Sequence, residues 1–267
     1  MQDHNLPSAV SQGSFKHQLQ CGRPLIGSFV FSSDPNITEL YAAAGFDFVI
    51  IDLEHTLGDL QIVAAHLRAA RASGIHAVVR IGRSNSYDVP RLLDGGCKAL
   101  MLPHLGLPHY GASDALRNMR YAPHGDRPTC TGVPAASFGL AQFSAYAEHA
   151  NDEVAAIGLV EDKECVETID SVLDGGLVDC VMPGPGDLSV SYGVHGQFLH
   201  PLVRSAVKTV LEAAKRKRIA VGLYISDPSE VAAGVDQGIN MFVLSIDYKL
   251  LGATLRSAAT RMREQVR

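Results

Sequence analysis

The sequence lacks tryptophan, and no apolar run approaches the roughly 18 residues that a membrane-spanning helix needs. It also lacks an excess of positive charge: the net charge of the 267 residues is −5, and neither end carries a basic or acidic tail. These absences argue against nucleic acid and membranes as partners. Residues 1–16 contain no apolar signal core, so we expect a cytoplasmic protein.

Common catalytic and metal-binding signatures are missing as well. The five cysteines include no CxxC pair, and no His/Cys cluster has the spacing of a zinc site, so reduced, structural thiols are expected. The GxSxG nucleophile elbow and the glycine-rich dinucleotide and P-loop signatures are absent. The cysteines are Cys21, Cys97, Cys130, Cys165 and Cys180.

From residue 25 onward, eight short strand-forming runs alternate with helical stretches. Most runs are continuously apolar, as expected for strands that are covered on both faces. Repeated strand–helix alternation implies parallel strands joined by crossovers, so we predict an α/β fold, a single (β/α)8 TIM barrel over residues 25–267. A doubly wound open sheet is the alternative, and residues 1–24 are assigned to a leader with a short helix. The predicted strands are 25–31, 46–52, 76–81, 99–105, 154–160, 178–183, 220–226 and 240–246.

Helical stretches and one insertion separate the strands. Residues 59–73 and 228–237 have helical apolar spacing and a glycine at the next position, where a helix ends. The last helix, about 248–265, carries an apolar stripe. Residues 121–150 are rich in proline, glycine and small side chains, and a long irregular insertion of this kind is more often functional than idle.

Polar side chains follow five consecutive predicted strands at the point where each strand ends. Because catalytic groups in a (β/α)8 barrel lie at the carboxyl ends of the strands, we expect these side chains to share one mouth. Independent helix caps would not need to converge in this way, so the joint pattern favours a functional site. The residues are Asp52, Glu54, His55, Arg80, His104, Glu161, Asp162 and Asp187, the last within GPGDLS.

Several of these residues also have a purely structural interpretation. Asp52 could cap the following turn and pair with Arg80, and Glu54 is best explained as a solvated charge at the rim. His104 could be a packed histidine, and Asp187 could be the N-cap of the next helix, where aspartate is favoured.

The chemistry of the set nevertheless suits one type of reaction. Glu161 and Asp187 can supply carboxylate oxygens to a divalent cation such as Mg²⁺ or Mn²⁺ and leave positions for water and substrate. Arg80 can bind a carboxylate or stabilise an oxyanion, and His55 can act as a general base near neutral pH. Schiff-base catalysis is disfavoured because no lysine lies within a predicted strand. The set therefore indicates an enzyme that forms and quenches an enolate.

The motifs resemble the metal-dependent (class II) pyruvate aldolases of the HpcH/HpaI aldolase/citrate lyase family, within the phosphoenolpyruvate/pyruvate superfamily of barrels. The resemblance covers roughly residues 14–255, and the motifs occur in the family's order. The matching segments are SFKHQLQCGRPLIGSFV, AAAGFDFVIIDLEH, VVRI, LLDGGCKALMLPH, RYAPHGDR, VED, GPGDLS, HP and SIDYKLLGA.

The resemblance implies a barrel whose last helix is exchanged between subunits, often in hexamers that are trimers of dimers. It implies a divalent metal ion, Mg²⁺, Mn²⁺ or Co²⁺, and pyruvate or another 2-oxo acid plus an aldehyde as substrates. The reaction implied is aldol addition or cleavage through a metal-stabilised pyruvate enolate.

The family's roles can be carried over residue by residue. They make Glu161 and Asp187 the metal ligands and Arg80 the group that stabilises the transition state. Backbone N–H groups of Gly186 and Asp187 would bind the substrate.

The resemblance makes His55 the catalytic base and gives it an acidic helper. The family role falls on Asp94, which would raise the basicity of the histidine. Reasoning from the residues alone favours Asp52 for the same role, so both acids are candidates.

The chain departs from the family at the predicted substrate pocket. The family usually has a substrate-binding glutamine where this chain has Leu159, and Arg127-Pro128 stands where the family has Arg-Gly. GPGD in place of GPAD, together with His104 as a further substrate-binding candidate, resembles macrophomate synthase, a relative. Two alternatives follow: an oxaloacetate decarboxylase or biosynthetic enzyme that forms carbon–carbon bonds, and a catalytically degraded barrel that acts as a binding or assembly protein.

Overall fold

Eight parallel strands close into a barrel in chain order, in a computed structural model that describes residues 13–82 and 87–266. The predicted (β/α)8 barrel is confirmed, and the open sheet is excluded because the last strand pairs with the first. The strands are β1 (Leu25–Val30), β2 (Phe48–Asp52), β3 (His76–Arg80), β4 (Ala99–Leu102), β5 (Ala155–Val160), β6 (Cys180–Pro183), β7 (Ala220–Ile225) and β8 (Met241–Ile246).

Helices lie on the outside of the barrel and at both of its ends. Two short 3-10 turns, Pro108–Tyr110 and Pro134–Gly139, lie between β4 and β5. The α-helices of the described residues are α1 (Phe15–Gln20), α2 (Asn36–Ala43), α3 (Leu60–Ser73), α4 (Asp88–Asp94), α5 (Ala112–Asn118), α6 (Phe143–Glu153), α7 (Lys163–Glu167), α8 (Ile169–Asp174), α9 (Pro185–Ser191), α10 (Pro201–Lys217), α11 (Glu230–Asp236) and α12 (Asp247–Gln265).

Strand alternation divides the apolar core into an inner and an outer layer. Inside the barrel, Phe48 and Ile50 of β2 pack with Leu159 of β5, whereas Val49 packs outward against the helices. A side chain two residues beyond an inward one also faces inward. Polar residues that continue these alternations therefore enter the mouth of the barrel.

A short helix is present in the predicted leader, and it closes the amino-terminal end of the barrel. Phe15 and Leu19 of α1 are buried within the inner core layer. The Phe15 ring lies edge-on to Phe48, with centroids 5.4 Å apart. Helix α1 is thus a plug that completes the core.

The last helix contributes little to the core of its own chain. Only Asp247 of α12 is buried, where its carboxylate accepts the N–H groups of Phe31 and Ser32. The predicted apolar stripe of α12, Leu251, Leu255, Ala258 and Met262, is more than half exposed at its three large side chains. No helix within the described ranges has the length and apolar character needed to cross a membrane.

Candidate active site

Asp52 and Arg80 form a buried ion pair at the mouth of the barrel. They are register partners on β2 and β3, and both continue the inward alternation of their strands. Arg80 Nε donates to Asp52 Oδ1 at 2.7 Å, and its NH2 group donates to Oδ2 at 2.9 Å. The guanidinium also lies 4.6 Å from the ring centroid of Phe29. Such a bidentate, stacked arrangement fixes an arginine in one orientation.

The remaining acceptor positions of Asp52 hold the loop that follows β2. Its two carboxylate oxygens accept the backbone N–H groups of Glu54 at 3.0 Å and His55 at 3.1 Å. Both structural interpretations of Asp52, as a turn cap and as the partner of Arg80, are therefore correct. Asp52 acts on His55 through the backbone N–H group. The Asp52 carboxylate makes no hydrogen bond or ion pair with the imidazole ring of His55.

Glu54 is a second partner of Arg80, so its interpretation as a solvated rim charge is wrong. Its side chain is only 13% exposed, and Oε2 lies 3.3 Å from Arg80 NH1. The same oxygen lies 3.9 Å from His55 Nε2. Burial raises the pKa of the Glu54 carboxyl, and the positive charge of Arg80 opposes that rise.

His55 projects from the rim, with 62% of its side chain exposed. Among the described residues, Glu54 supplies the carboxylate within 4.0 Å of its ring nitrogens. Asp94, the other candidate helper, lies at the end of α4 and accepts a hydrogen bond from Arg127 NH2 at 2.8 Å. Arg127, which belongs to the Arg-Pro dipeptide where the chain differs from the family pattern, is thus a buried partner of Asp94. The predicted assistance of Asp94 to His55 has no support within a single chain.

Two consecutive acids end β5, and one residue after β4 contacts both. Glu161 is 5% exposed, and its Oε2 accepts the backbone N–H of His104 at 3.0 Å. The ring Nδ1 of His104 lies 2.9 Å from Asp162 Oδ2, a hydrogen bond that raises the pKa of His104. The ring also packs against Tyr110, with centroids 4.0 Å apart and the ring planes tilted by 42°.

Glu161 is the carboxylate best placed to hold a cation. Burial raises the pKa of its carboxyl group to about 7, and the negative charge of Asp187 adds to this rise. The hydrogen bond from the His104 backbone opposes the rise. No hydrogen bond from the described part of the chain reaches Oε1. Gly184 leaves room for this side chain, because a Cβ there would lie 2.8 Å from Glu161 Cγ and 3.3 Å from Oε1.

Asp187 lies in the first turn of α9, which places it close enough to act electrostatically on Glu161. Its predicted role as an N-cap is wrong, since Gly184 occupies that position. Asp187 and Gly186 are both exposed. Within residues 13–82 and 87–266, no group of three or more His, Cys, Asp or Glu side chains has the arrangement of a metal site.

The donor set fits a hard divalent cation that keeps open positions. Five carboxylates share the region with one arginine, so negative charge is in excess: Asp52, Glu54, Glu161, Asp162 and Asp187. A buried carboxylate oxygen with no donor, beside a second carboxylate, is an unfavourable arrangement that a cation would relieve. Two carboxylates plus water and substrate oxygens are typical ligands of Mg²⁺.

The sequence model of the HpcH/HpaI aldolase/citrate lyase family matches residues 25–253. The chain belongs to this family. A hydroxypyruvate/pyruvate aldolase of Roseovarius nubinhibens is 30% identical over 94% of this chain and 96% of its own length. A 4-hydroxy-2-oxo-heptane-1,7-dioate aldolase of Shigella sonnei is 30% identical over 95% and 96%. These relatives support the prediction of an enzyme, a carbon–carbon lyase.

Solved structures of this family share the barrel. An HpcH/HpaI aldolase from Desulfitobacterium hafniense superposes with a TM-score of 0.88 at 28% identity, covering 95% of this chain and 98% of that one. Macrophomate synthase, with a TM-score of 0.82 and 22% identity, covering 95% and 90%, shows the same fold. The resemblance inferred from the motifs is confirmed at the level of the family and the fold.

Leu159, where the family usually has glutamine, faces the barrel interior. It is 3% exposed and packs within the inner core layer together with Met182 and Phe29. Its neighbour two positions on is Glu161, which the same alternation brings into the mouth. The predicted substrate-binding position is therefore an apolar surface beneath the acidic site.

The sequence places Glu54 and Asp162 at the predicted mouth but indicates no specific role for either, although both are partners of site residues. The local signal was present in each case, since Glu54 follows Asp52 by two positions and Asp162 directly follows Glu161. What the sequence does not encode locally is the turn of each loop beyond its strand. That turn brings Glu54 back to Arg80 and His104 across to Asp162.

Proposed function

We propose that this protein is a divalent-metal-dependent aldolase that makes or breaks a carbon–carbon bond next to the keto group of a 2-oxo acid. The observation that carries the proposal is the Oε1 atom of buried Glu161, which no hydrogen bond from residues 13–82 and 87–266 reaches. It lies beside Asp187, at the same mouth as the fixed Arg80. The names of the two aldolase relatives supply the substrate class, pyruvate-type 2-oxo acids and an aldehyde.

Glu161 and Asp187 would hold the cation, Mg²⁺, Mn²⁺ or Co²⁺. When bound, it would act as a Lewis acid toward the oxygens of the 2-oxo acid. Backbone N–H groups of Gly186 and Asp187, in the first turn of α9, favour an anionic group of the substrate.

Arg80 is positioned to stabilise negative charge that develops on the substrate. A guanidinium has five N–H groups. Asp52 takes one on Nε and one on NH2, and Glu54 faces NH1. Within the described part of the chain, one N–H on NH2 and one on NH1 are left for substrate oxygens, and they need no reorganisation during the reaction.

His55 is the proposed base, and its exposure allows it to exchange protons with solvent. In the cleavage direction, His55 takes the proton of the hydroxyl group on the aldehyde side. In the reverse reaction, the aldol addition, it returns that proton. Glu54, 3.9 Å from Nε2, stabilises the protonated ring electrostatically. His104 is committed to Asp162 and Tyr110, so direct substrate binding by its ring would use only Nε2.

The exposed apolar stripe of α12 supports a homo-oligomer, and the resemblance to the family extends this to a hexamer, a trimer of dimers, in the cytoplasm. An isolated helix with Leu251, Leu255 and Met262 in water would leave a continuous apolar strip unburied. Exchange of α12 between subunits would bury it.

Leu159 favours one alternative within the same chemistry, an oxaloacetate decarboxylase. An apolar surface below Glu161 would desolvate a carboxylate and so favour its loss as neutral carbon dioxide, and this loss from oxaloacetate yields the same pyruvate enolate. The degraded-barrel alternative has less support, because the acids and the arginine keep the contacts described above.

The test is a coupled assay of pyruvate release from 4-hydroxy-2-oxo acids, with and without EDTA. We expect turnover that EDTA abolishes and added Mn²⁺ restores. Turnover that survives EDTA would reject the metal-dependent mechanism. Release of pyruvate from oxaloacetate without any aldol cleavage would favour the decarboxylase.

A further inference from the structure

His104 adopts a backbone conformation that non-glycine residues avoid. Its φ is +48°, in the left-handed region where a Cβ approaches the following carbonyl oxygen. The residue directly follows Pro103 in the loop after β4, so the strain lies at the rim of the mouth. Strain of this kind persists only where surrounding contacts hold it.

Three contacts hold His104 in this conformation. Its backbone N–H donates to Glu161 Oε2 at 3.0 Å, its Nδ1 lies 2.9 Å from Asp162 Oδ2, and its ring packs against Tyr110 in a tilted arrangement. The ring contacts anchor the residue on two sides, and the backbone contact is made to the acid next to Asp162. One residue of the β4 loop therefore ties both acids that end β5.

The backbone contact decides which oxygen of Glu161 is available. Oε2 accepts the N–H of His104, whereas no donor of the described residues reaches Oε1. On the Oε1 side, Gly184 has no side chain, and a Cβ there would lie 3.3 Å from this oxygen. The carboxylate is thus held by one oxygen and open at the other.

We propose that His104 is a positioning residue that clamps Glu161 through its strained backbone, so that Oε1 alone is presented to the divalent cation. The inference rests on the proposed function, because it needs a cation at Glu161. The ring acts indirectly, since its contacts with Asp162 and Tyr110 keep the backbone N–H in place.

The test compares Mn²⁺ affinity, measured by calorimetry without substrate, among full-length variants with different backbone preferences. His104→Ala loses the ring anchors and keeps the cost of a positive φ, so we expect Mn²⁺ to bind about 10- to 100-fold more weakly. His104→Gly adopts positive φ freely and should recover part of that loss. His104→Asn tolerates the conformation and can donate to Asp162, so it should come closest to wild type.

His149→Ala is the matched control, because His149 is an exposed histidine on α6 that pairs with Glu153. It should bind Mn²⁺ like wild type, and thermal unfolding checks that each variant is folded. If His104→Ala does not fold, the comparison of His104→Gly with His104→Asn carries the test.

Affinity within twofold of wild type in folded His104→Ala would overturn the inference and leave the proposed function intact. Equal losses in His104→Gly and His104→Ala would also overturn it, because the ring and not the backbone would then matter. Absence of Mn²⁺ binding in the wild-type protein would instead reject the proposed function itself, and the clamp with it.

Discussion

At the scale of single residues, the site is organised by carboxylates that hold the reactive groups through several hydrogen bonds and ion pairs. Asp52 uses its oxygens on Arg80 and on two backbone N–H groups, and Glu54 adds a contact to Arg80. The structural interpretations of Asp52 and Arg80 are correct, and they are compatible with the proposed functional roles, because a fixed arginine is what the proposed reaction requires. A residue can be predicted as part of the site from its strand position, whereas its partner depends on loops that the sequence does not specify.

Replacing Asp52 should destabilise the whole protein. Asp52→Asn leaves the buried guanidinium of Arg80 without its main counter-charge, so we expect a loss of about 3 kcal/mol in the free energy of unfolding. Chemical denaturation measures it. Asp170→Asn, which breaks the exposed pair with Arg216, is the control and should change stability by less than about 1 kcal/mol. Equal effects of the two changes would contradict the burial argument.

Adding a methyl group at Gly184 should displace Glu161 with little effect on the fold. The new Cβ would lie 2.8 Å from Glu161 Cγ, closer than non-bonded carbons approach. We expect Gly184→Ala to lose most Mn²⁺ affinity and turnover, as measured by calorimetry and the pyruvate assay. Gly252→Ala is the control, since nothing lies within 4 Å of its Cβ. Unchanged Mn²⁺ affinity in Gly184→Ala would show that Glu161 can move freely.

At the scale of elements, the sequence signals for strands and for α3 were sufficient. Asp59 caps α3 and Gly74 ends it at φ +75°, as the spacing predicted. Helix α11 begins at Glu230, two residues later than predicted, because the Glu230 carboxylate accepts the N–H groups of Ser226 and Asp227. The irregular insertion ends at residue 142, eight residues before its predicted end, because α6 begins at Phe143. These differences arise from side-chain capping and tertiary packing, which apolar spacing does not report.

The sequence also did not predict that α1 closes the barrel. The contact of α1 with His76 makes the stability of the fold sensitive to acid. The amide of Gln18 on α1 donates to Gly13 O and lies 3.0 Å from His76 Nε2, so the ring nitrogen accepts and His76 is neutral. Burial lowers the pKa of His76; the charges of Asp47 and Glu153 oppose this, and that of Lys98 adds to it.

The unfolded chain therefore takes up the proton first, and this contribution to stability is lost as the pH falls below about 6.5. Between pH 8 and pH 5, we expect His76→Gln to lose less stability than the wild-type protein does. Thermal unfolding at each pH measures this loss. His149→Gln, at an exposed position, should follow wild type. Parallel curves for wild type and His76→Gln would show that His76 does not contribute.

At the scale of the whole molecule, the barrel buries its core completely and leaves α12 outside it. The barrel class and the family were predictable, because eight strand–helix units and ordered motifs extend over most of the chain. The assembly was not derivable from periodicity, since an apolar stripe on the last helix fits packing within a subunit as well as between subunits. The exposure of Leu251 and Leu255 favours packing between subunits.

Charging this stripe should weaken the assembly. We expect wild-type protein to sediment as a homo-oligomer, and Leu251→Asp combined with Leu255→Asp to shift it toward smaller species, because buried carboxylates in an apolar interface are unfavourable. Analytical ultracentrifugation measures the change. Thr260→Asp adds a charge to α12 away from the stripe and should leave the assembly intact. A monomeric wild-type protein would contradict the proposal.

The most direct test is an anomalous-difference map from crystals soaked with Mn²⁺ and oxalate, a mimic of the pyruvate enolate. We expect one strong peak, about 2.2 Å from Glu161 Oε1 and from the Asp187 carboxylate, with oxalate completing the ligand set. A peak elsewhere in the molecule, or none at these two acids while oxalate is bound, would contradict the metal-dependent mechanism.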